Sequence, residues 1–356
     1  MTSALAATRI RAASSATSFA FAVGLLVFAI FVVVTTEFVV VGLLPAMARD
    51  LNVSLAETGW FVTWFATAAA LLGPPLTMLG SRYDPRHVIV ATALVFAAGN
   101  LAVALAPQYS VVVAVRVLQG CALPVFASIA IVAAARLAGA GRAGWANSLV
   151  NIGVVAATVV GIPAGTMVAD AAGWPASFAA LALLGLISAA LIAARFPRLG
   201  ILKPRSLRTE ASLLWRPAFL ARLLLSGILF TAMFAGYTYI AAFVGELLGA
   251  TTGHDGAILG GMLIGFGLAG VFGNWIAGRV VDRDPIAATG WVALVLALAM
   301  AATGLSGASP TLLILLVGIW GAAHTAAFVF CQVSAMAAGS DAPAFALSLN
   351  MSVCNR

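Results

Sequence analysis

The sequence predicts an all-α membrane fold built from two six-helix bundles, and three observations lead there. Hydrophobic residues make up 63% of the 356-residue chain and charged residues only 8%, with a mean hydropathy of +1.11. A soluble domain carries about a quarter charged residues, so lipid is the main solvent for this chain. Apolar segments near or above the roughly 20 residues needed to span the hydrocarbon as a helix recur along the sequence. Finally, the loop after the second segment returns after the eighth. Gly80 with Asp84 is matched by Gly278 with Asp282, both at an offset of 198 residues.

The first segment, 18–47, is too long for a signal-peptide core and runs into Glu37 without a small-residue cleavage pattern, so it is read as a helix. Five more follow in the first half, at 57–80, 87–106, 109–135, 145–170 and 175–195. A polar stretch with Pro197, Pro204 and Pro217 then reads as a cytoplasmic linker. Beyond it lie 218–247, 256–279, 286–306 and 310–338, and an eleventh segment begins near Ala342. The domains expected are therefore 1–196, a linker at 197–217, and a second bundle from 218 to 356. Ser148-Leu-Val-Asn151 and Ser348-Leu-Asn350 extend the repeat. By that repeat the second half should end near residue 394, so the chain is expected to be a fragment lacking a twelfth helix and most of the eleventh.

The net charge of +7 has a topological cause. With a cytoplasmic N-terminus, the inside segments carry Arg9, Arg11, Arg82, Arg86, Arg136, Arg142, Arg195, Arg198, Lys203, Arg205, Arg208, Arg216, Arg279 and Arg283, and the outside loops carry only Arg49. This is the positive-inside pattern. It replaces a nucleic-acid reading with a multi-pass protein of a bacterial-type inner membrane. Cys121, Cys331 and Cys354 lie in or near apolar runs and read as packing residues. No phosphate-cradling Gly-x-x-x-x-Gly-Lys-Ser/Thr loop, metal-spaced His/Cys cluster or Ser/His/Asp set occurs. An ATP-driven pump or a hydrolase therefore lacks its parts, and neither enzyme activity nor a cofactor is expected.

Several motifs resemble the drug:proton antiporter branch of the major facilitator superfamily, in particular its arabinose-efflux and chloramphenicol-efflux relatives. Helix 1 carries Thr35-Thr36-Glu37-Phe38, then Gly42-Leu-Leu-Pro45-Ala-Met-Ala-Arg-Asp50-Leu51. The loops Gly80–Arg86 and Gly278–Arg283 are similar to the superfamily's inter-helix motif, with Pro85 where the first copy usually has Arg. Helix 4 has Arg116-Val-Leu-Gln119-Gly120, similar to the branch's proton-coupling motif. Helix 5 has Gly153 and then Gly161-Ile-Pro163-Ala-Gly165, similar to its antiporter motif, and continues as Gly173-Trp174-Pro175 where the family has Gly-Trp-Arg. The resemblance implies a major facilitator fold, two bundles about a pseudo-twofold axis, working by alternating access as a monomer. It implies proton-coupled export of a small drug-like or weakly polar molecule. Export of a sugar, nucleoside or other metabolite is the alternative, and a non-transporting sensor or scaffold a more distant one. Partners are then a small-molecule substrate, protons and the bilayer.

A charge at mid-bilayer is costly and by default functional. Glu37 lies roughly 15 Å and Arg116 roughly 10 Å below the outer face at the helical rise, so the two sit at similar depth. The functional reading makes Glu37 the proton carrier and Arg116 the charge that tunes it; the structural alternative is a static ion pair. Gly153, Gly161, Pro163 and Gly165 read as close packing with a kink, which by resemblance controls the outward gate. Gly265 and its glycine neighbours on helix 8 read as packing. Asp84 with Arg86, and Asp282 with Arg283, stand beside Gly80 and Gly278 at cytoplasmic helix ends. By resemblance they form charge contacts latching the halves, against a plain capping role. Candidate cavity residues are Trp64, Phe126, Asn151, Tyr237, Tyr239, Trp320, His324 and Gln332, an aromatic lining with few charges that suits weakly polar solutes.

Overall fold

In the computed structural model, residues 2–201, 210, 212–249, 255–305 and 309–354 are described, with side chains from residue 19 onward and apart from 238–249, 255–261, 263 and 310. Among the described residues eleven long helices follow one another: α1 (Thr2–Asp50), α2 (Leu55–Gly80), α3 (Pro85–Leu105), α4 (Tyr109–Ala138), α5 (Ala143–Ala172), α6 (Trp174–Arg195), α7 (Pro217–Gly249), α8 (Asp255–Val280), α9 (Pro285–Leu305), α10 (Pro310–Ala338) and α11 (Pro343–Cys354). Among the described residues nine of these are long and apolar enough to cross a membrane. Helices are the form expected, because a chain in hydrocarbon must satisfy its backbone groups within the segment.

Local chemistry sets the boundaries. Ser54 and Glu57 form a reciprocal capping box at the start of α2: the Glu57 amide donates to Ser54 Oγ at 3.2 Å and the Ser54 amide to Glu57 Oε2 at 2.7 Å. Asp84 caps α3, with Pro85 in the first turn where its missing N–H is no loss. Gly139 and Gly173 stop α4 and α5 at φ of +87° and +84°, a region that favours glycine. Within α5, Pro163 cannot donate to the carbonyl four residues back. The turn before it widens into a π-helical turn over Ala157–Gly161.

In the first half α1 packs on α5, α2 on α4 and α3 on α6; in the second half α10 lies against both α8 and α9. The closest crossings use small residues. A Cβ on Gly120 would fall on the Phe65 carbonyl, and one on Gly153 on Val27 and Ile30 of α1. The two halves meet where α5 packs on α8 and where α11 packs on α2 and α4. In the stretch between the halves Phe196 is buried, and a 3-10 turn at Ser212–Trp215 seats Leu213 among Phe219, Phe345 and Ala346. Lys203, Arg205 and Arg208 lie outside the described residues.

The loops at 81–84, 139–142 and 281–284 share one end of the bundle, the basic end, with Arg82, Arg136, Arg142, Arg279 and Arg283. Every hydrogen bond between the halves among the described residues lies toward this end. Thr77 Oγ1 donates to Ser348 Oγ at 3.0 Å, Asn274 Nδ2 to the Ser148 carbonyl at 2.7 Å, and Ser352 Oγ to the Ala69 carbonyl at 3.5 Å. Toward the far end the described hydrogen bonds stay within one half, such as Trp174 Nε1 to Asp50 Oδ2 at 2.9 Å and Ser177 Oγ to the Gly165 carbonyl at 2.6 Å. Among the described residues, the hydrogen bonds that join the halves are thus gathered toward the basic end.

Candidate functional site between the two halves

Glu37 lies on a stripe of α1 that is buried toward the basic end and exposed toward the far end. Along that stripe Val23, Ile30 and Val34 are buried, Glu37 is half-buried, and Val41 and Pro45 are exposed. Exposure along this stripe thus begins at Glu37. The carboxylate makes no hydrogen bond or ion pair with any described residue.

Arg116 comes close without pairing with that carboxylate. It is 1% exposed and spends its guanidinium on backbone carbonyls: Nε donates to Phe61, Nη1 to Thr36 and Nη2 to Glu37, each at 3.2 Å. Its Cζ lies 4.1 Å from the Phe65 ring centroid, a cation–π contact. A chain of polar groups continues behind it. Gln119 Nε2 donates to Asn100 Oδ1 at 2.9 Å, Asn100 Nδ2 to Thr36 Oγ1 at 3.0 Å, and Thr36 Oγ1 to the Val32 carbonyl at 2.9 Å. The expected side-chain ion pair is thus replaced by backbone anchoring, since a planar fork of five donors can be satisfied by helix carbonyls. Asn100 was missed from sequence: a lone Asn in an apolar helix gives no sign of which helix it meets.

Asn151 and Gln332 come together across the halves. Asn147 and Asn151 on α5 both donate through Nδ2 to Gln332 Oε1 on α10, at 2.9 and 3.2 Å, and Asn151 Nδ2 also reaches Asn147 Oδ1 at 3.4 Å. Asn147, not anticipated from the sequence, is one turn from Asn151 on the same face, and that spacing was the available signal.

In the second half Tyr237, Trp320 and His324 gather with Phe234 and Phe266. The Tyr237, Phe234 and Phe266 rings lie 5.6, 5.9 and 5.6 Å from the His324 ring, and Phe266 stands edge-on to Trp320 at 6.1 Å. Trp320 Nε1 and His324 Nδ1 are buried without a hydrogen-bond partner among the described residues. The side chain of Tyr239 lies outside the described residues.

Two expected cavity residues lie elsewhere. Phe126 is fully buried in the first-half core with Phe65, Phe96 and Ile30, because α4 is the central helix of that bundle. Trp64, 43% exposed, shares a stripe with Trp60 and Leu71. The stripe that meets α11 runs through Ala69 and Thr77, roughly 140° around α2 at 100° per residue.

The helix-5 motif packs along α1: a Cβ on Gly161 would fall on Thr35, and one on Gly165 would press on Val39 at 2.5 Å. Pro163 sits in the first turn after the π segment. Of the two loops, only the second crosses the halves. Asp282 Oδ1 and Oδ2 accept from the amides of Gly144 and Trp145 at 2.7 and 3.1 Å, and a Cβ on Gly278 would fall on the Ser148 hydroxyl. Arg283 is exposed and its side chain has no partner among the described residues, so the latch is carboxylate to helix N-terminus, with Arg283 taking no part. Asp84 and Arg86 stay within the first half. Asp84 accepts from Arg86 and Gly200 amides at 2.9 and 2.8 Å, and Arg86 Nη2 donates to the Ala193 carbonyl. A Cβ on Gly80 would meet Val125 and Ile129 of its own half at 3.2 Å.

Two helical membrane bundles that meet along a seam with polar groups toward the basic end are the architecture of a membrane transporter. The chain belongs to the Major Facilitator Superfamily, whose model matches residues 26–355. It is 30% identical over 326 residues to the inner membrane transport protein YdhP of Escherichia coli K12, covering 90% of this chain and 82% of the relative. It is also 30% identical over 274 residues to the uncharacterized MFS-type transporter YtbD of Bacillus subtilis, covering 76% and 67%. Among solved structures it resembles the proton:xylose symporter XylE, with a TM-score of 0.72 at 15% identity over 95% of this chain and 87% of that one. It also resembles FucP in the outward conformation, with a TM-score of 0.72 at 15% identity over 95% and 90%. At that identity the likeness shows the fold.

Proposed function

We propose that this transporter is a proton-coupled antiporter that exports a small, weakly polar molecule by alternating access, with its basic end in the cytoplasm. The observation that carries the reading is the Glu37 carboxylate: within a membrane span, half-buried where exposure along its stripe begins, and bonded to no described residue. An intramembrane carboxylate is retained for a task, and one without a fixed partner is free to take up and release a proton. Arg116 holds a positive charge one backbone carbonyl away and stays put through its bonds to α1 and α2.

In the exchange proposed, Glu37 accepts a proton from the outer side while the far end is open. The halves then rock. Facing inward, it releases that proton to the cytoplasm and substrate takes the vacated cleft. The basic residues gathered at one end support this orientation, and the resemblance of the Glu37 and Arg116–Gly120 segments to the antiporter branch supports the direction of transport.

The experiment is substrate-induced proton release from the purified full chain, followed by counterflow in proteoliposomes. Glu37→Gln should abolish proton release and proton-driven transport, while leaving the elution profile and Tm near those of the parent. Unchanged transport by that variant would overturn the proposal.

A further inference from the structure

The amide cluster at the seam has used only part of its hydrogen-bonding capacity. Gln332 Oε1 accepts from both Asn147 and Asn151, which fills its two lone pairs. The two N–H groups of Asn151 are taken by Gln332 Oε1 and Asn147 Oδ1. That leaves Asn151 Oδ1, an acceptor, and Gln332 Nε2, a double donor, without a partner among the described residues. Asn147 is fully buried, whereas Asn151 and Gln332 keep 3% and 2% of their surface. The two free groups are held in neighbouring positions by the bond between their own side chains. Neither can turn away without giving up a bond that spans the halves.

Depth places the cluster in the seam on the basic side of the bilayer's middle. Asn151 is eight residues from the basic-end start of α5 and Gln332 six from the basic-end finish of α10, roughly 12 and 9 Å by helical rise. No charged side chain hydrogen-bonds to the three amides. A site with one neutral acceptor beside one neutral donor favours a ligand with a donor and an acceptor on one edge and no net charge there. Primary carboxamides, lactams and cyclic ureas have such an edge; esters, ethers and hydrocarbons lack the donor.

We propose that Asn151 and Gln332 form the polar floor of the substrate site and select molecules bearing an uncharged amide-like edge. This rests on the transporter reading and narrows its substrate class. Because the same side chains hold the seam closed, a ligand engaging them sits against the contact that must part when the molecule turns inward.

The test uses the full chain in proteoliposomes, with benzamide and methyl benzoate as probes. The two have similar shape, and only benzamide has the donor. Binding is followed by saturation-transfer NMR, and the quantity read is the ratio of the two affinities. The parent chain should prefer benzamide by about tenfold or more. Gln332→Met and Asn151→Leu should bring the ratio near one with little change for the ester. Asn147→Leu, which removes an amide with no free surface, should leave the ratio unchanged. A parent chain without the preference would overturn the proposal. So would Gln332→Met and Asn151→Leu variants that keep it, or an Asn147→Leu variant that loses it to the same degree, since the amides would then serve only to hold the halves. Proton release with Glu37→Gln reads the antiport proposal separately, so either can fall while the other stands.

Discussion

The loops Gly80–Arg86 and Gly278–Arg283 are copies in sequence and different devices in structure. In the first, Asp84 caps its own helix and holds the Gly200 amide, Arg86 ties to α6, and Gly80 faces α4 of the same half. In the second, Asp282 takes two amides at the start of α5 and Gly278 lets Ser148 come into contact, so both residues act across the seam. The helix N-terminus offers unpaired N–H groups and positive dipole charge, which explains why a carboxylate suffices without a basic partner. The comparison teaches that a repeated motif conserves a shape, a tight loop after a helix. What the loop holds depends on which helix end lies opposite.

The largest effect should come from glycine. Gly278→Ala puts a methyl group onto Ser148, and overpacking of this kind costs about 1–3 kcal/mol. It should part α5 from α8, raise maleimide labelling of a Trp145→Cys probe from the basic side, and cut transport at least tenfold. Gly80→Ala, with 3.2 Å to flexible side chains, should change labelling little; equal effects would erase the distinction between the loops.

Next is Asp282→Ala, which strips the acceptor from two amides. Hydrogen bonds to a charged group contribute about 1.5–3 kcal/mol. Taken as the total for this partly exposed pair, that moves the closed-to-open ratio at the basic end roughly 10- to 100-fold, read by the same labelling. Asp84→Ala should lower stability by about 1 kcal/mol as a lost N-cap and reduce Tm, with labelling across the seam unchanged. Smallest of all, Arg283→Ala should stay within about 0.5 kcal/mol of the parent, as an exposed substitution touching nothing.

Much of the architecture was readable because lipid imposes length: the helices lie where apolar runs do, and the repeat offset gave the two halves. Depth was readable too, which is why Glu37, Arg116, Asn151 and Gln332 stood out as polar groups inside spans. Facing was not. In a bilayer every side of a helix is apolar, so the periodicity that marks the core side of a soluble helix is absent. Apolar sequence thus does not separate Phe126, packed in the core, from Trp64, which is exposed and off the stripe that meets α11. Partner identity was equally hidden. Nothing in the sequence joins Asn147 to Gln332, 185 residues apart, or Asp50 to Trp174, and only folding brings them together. Arg116 shows a third limit, since backbone carbonyls leave no trace in a sequence and they were its partners.

Those carbonyls have a mechanical meaning. Arg116 on α4 is fastened at once to α1 and α2, through groups that already belong to the helical ladders of those segments. To slide or rotate any one of the three against the others, all of these bonds must break in a place water does not reach. One guanidinium is therefore a rivet through three helices, and the rocking proposed above would carry α1, α2 and α4 together as a unit.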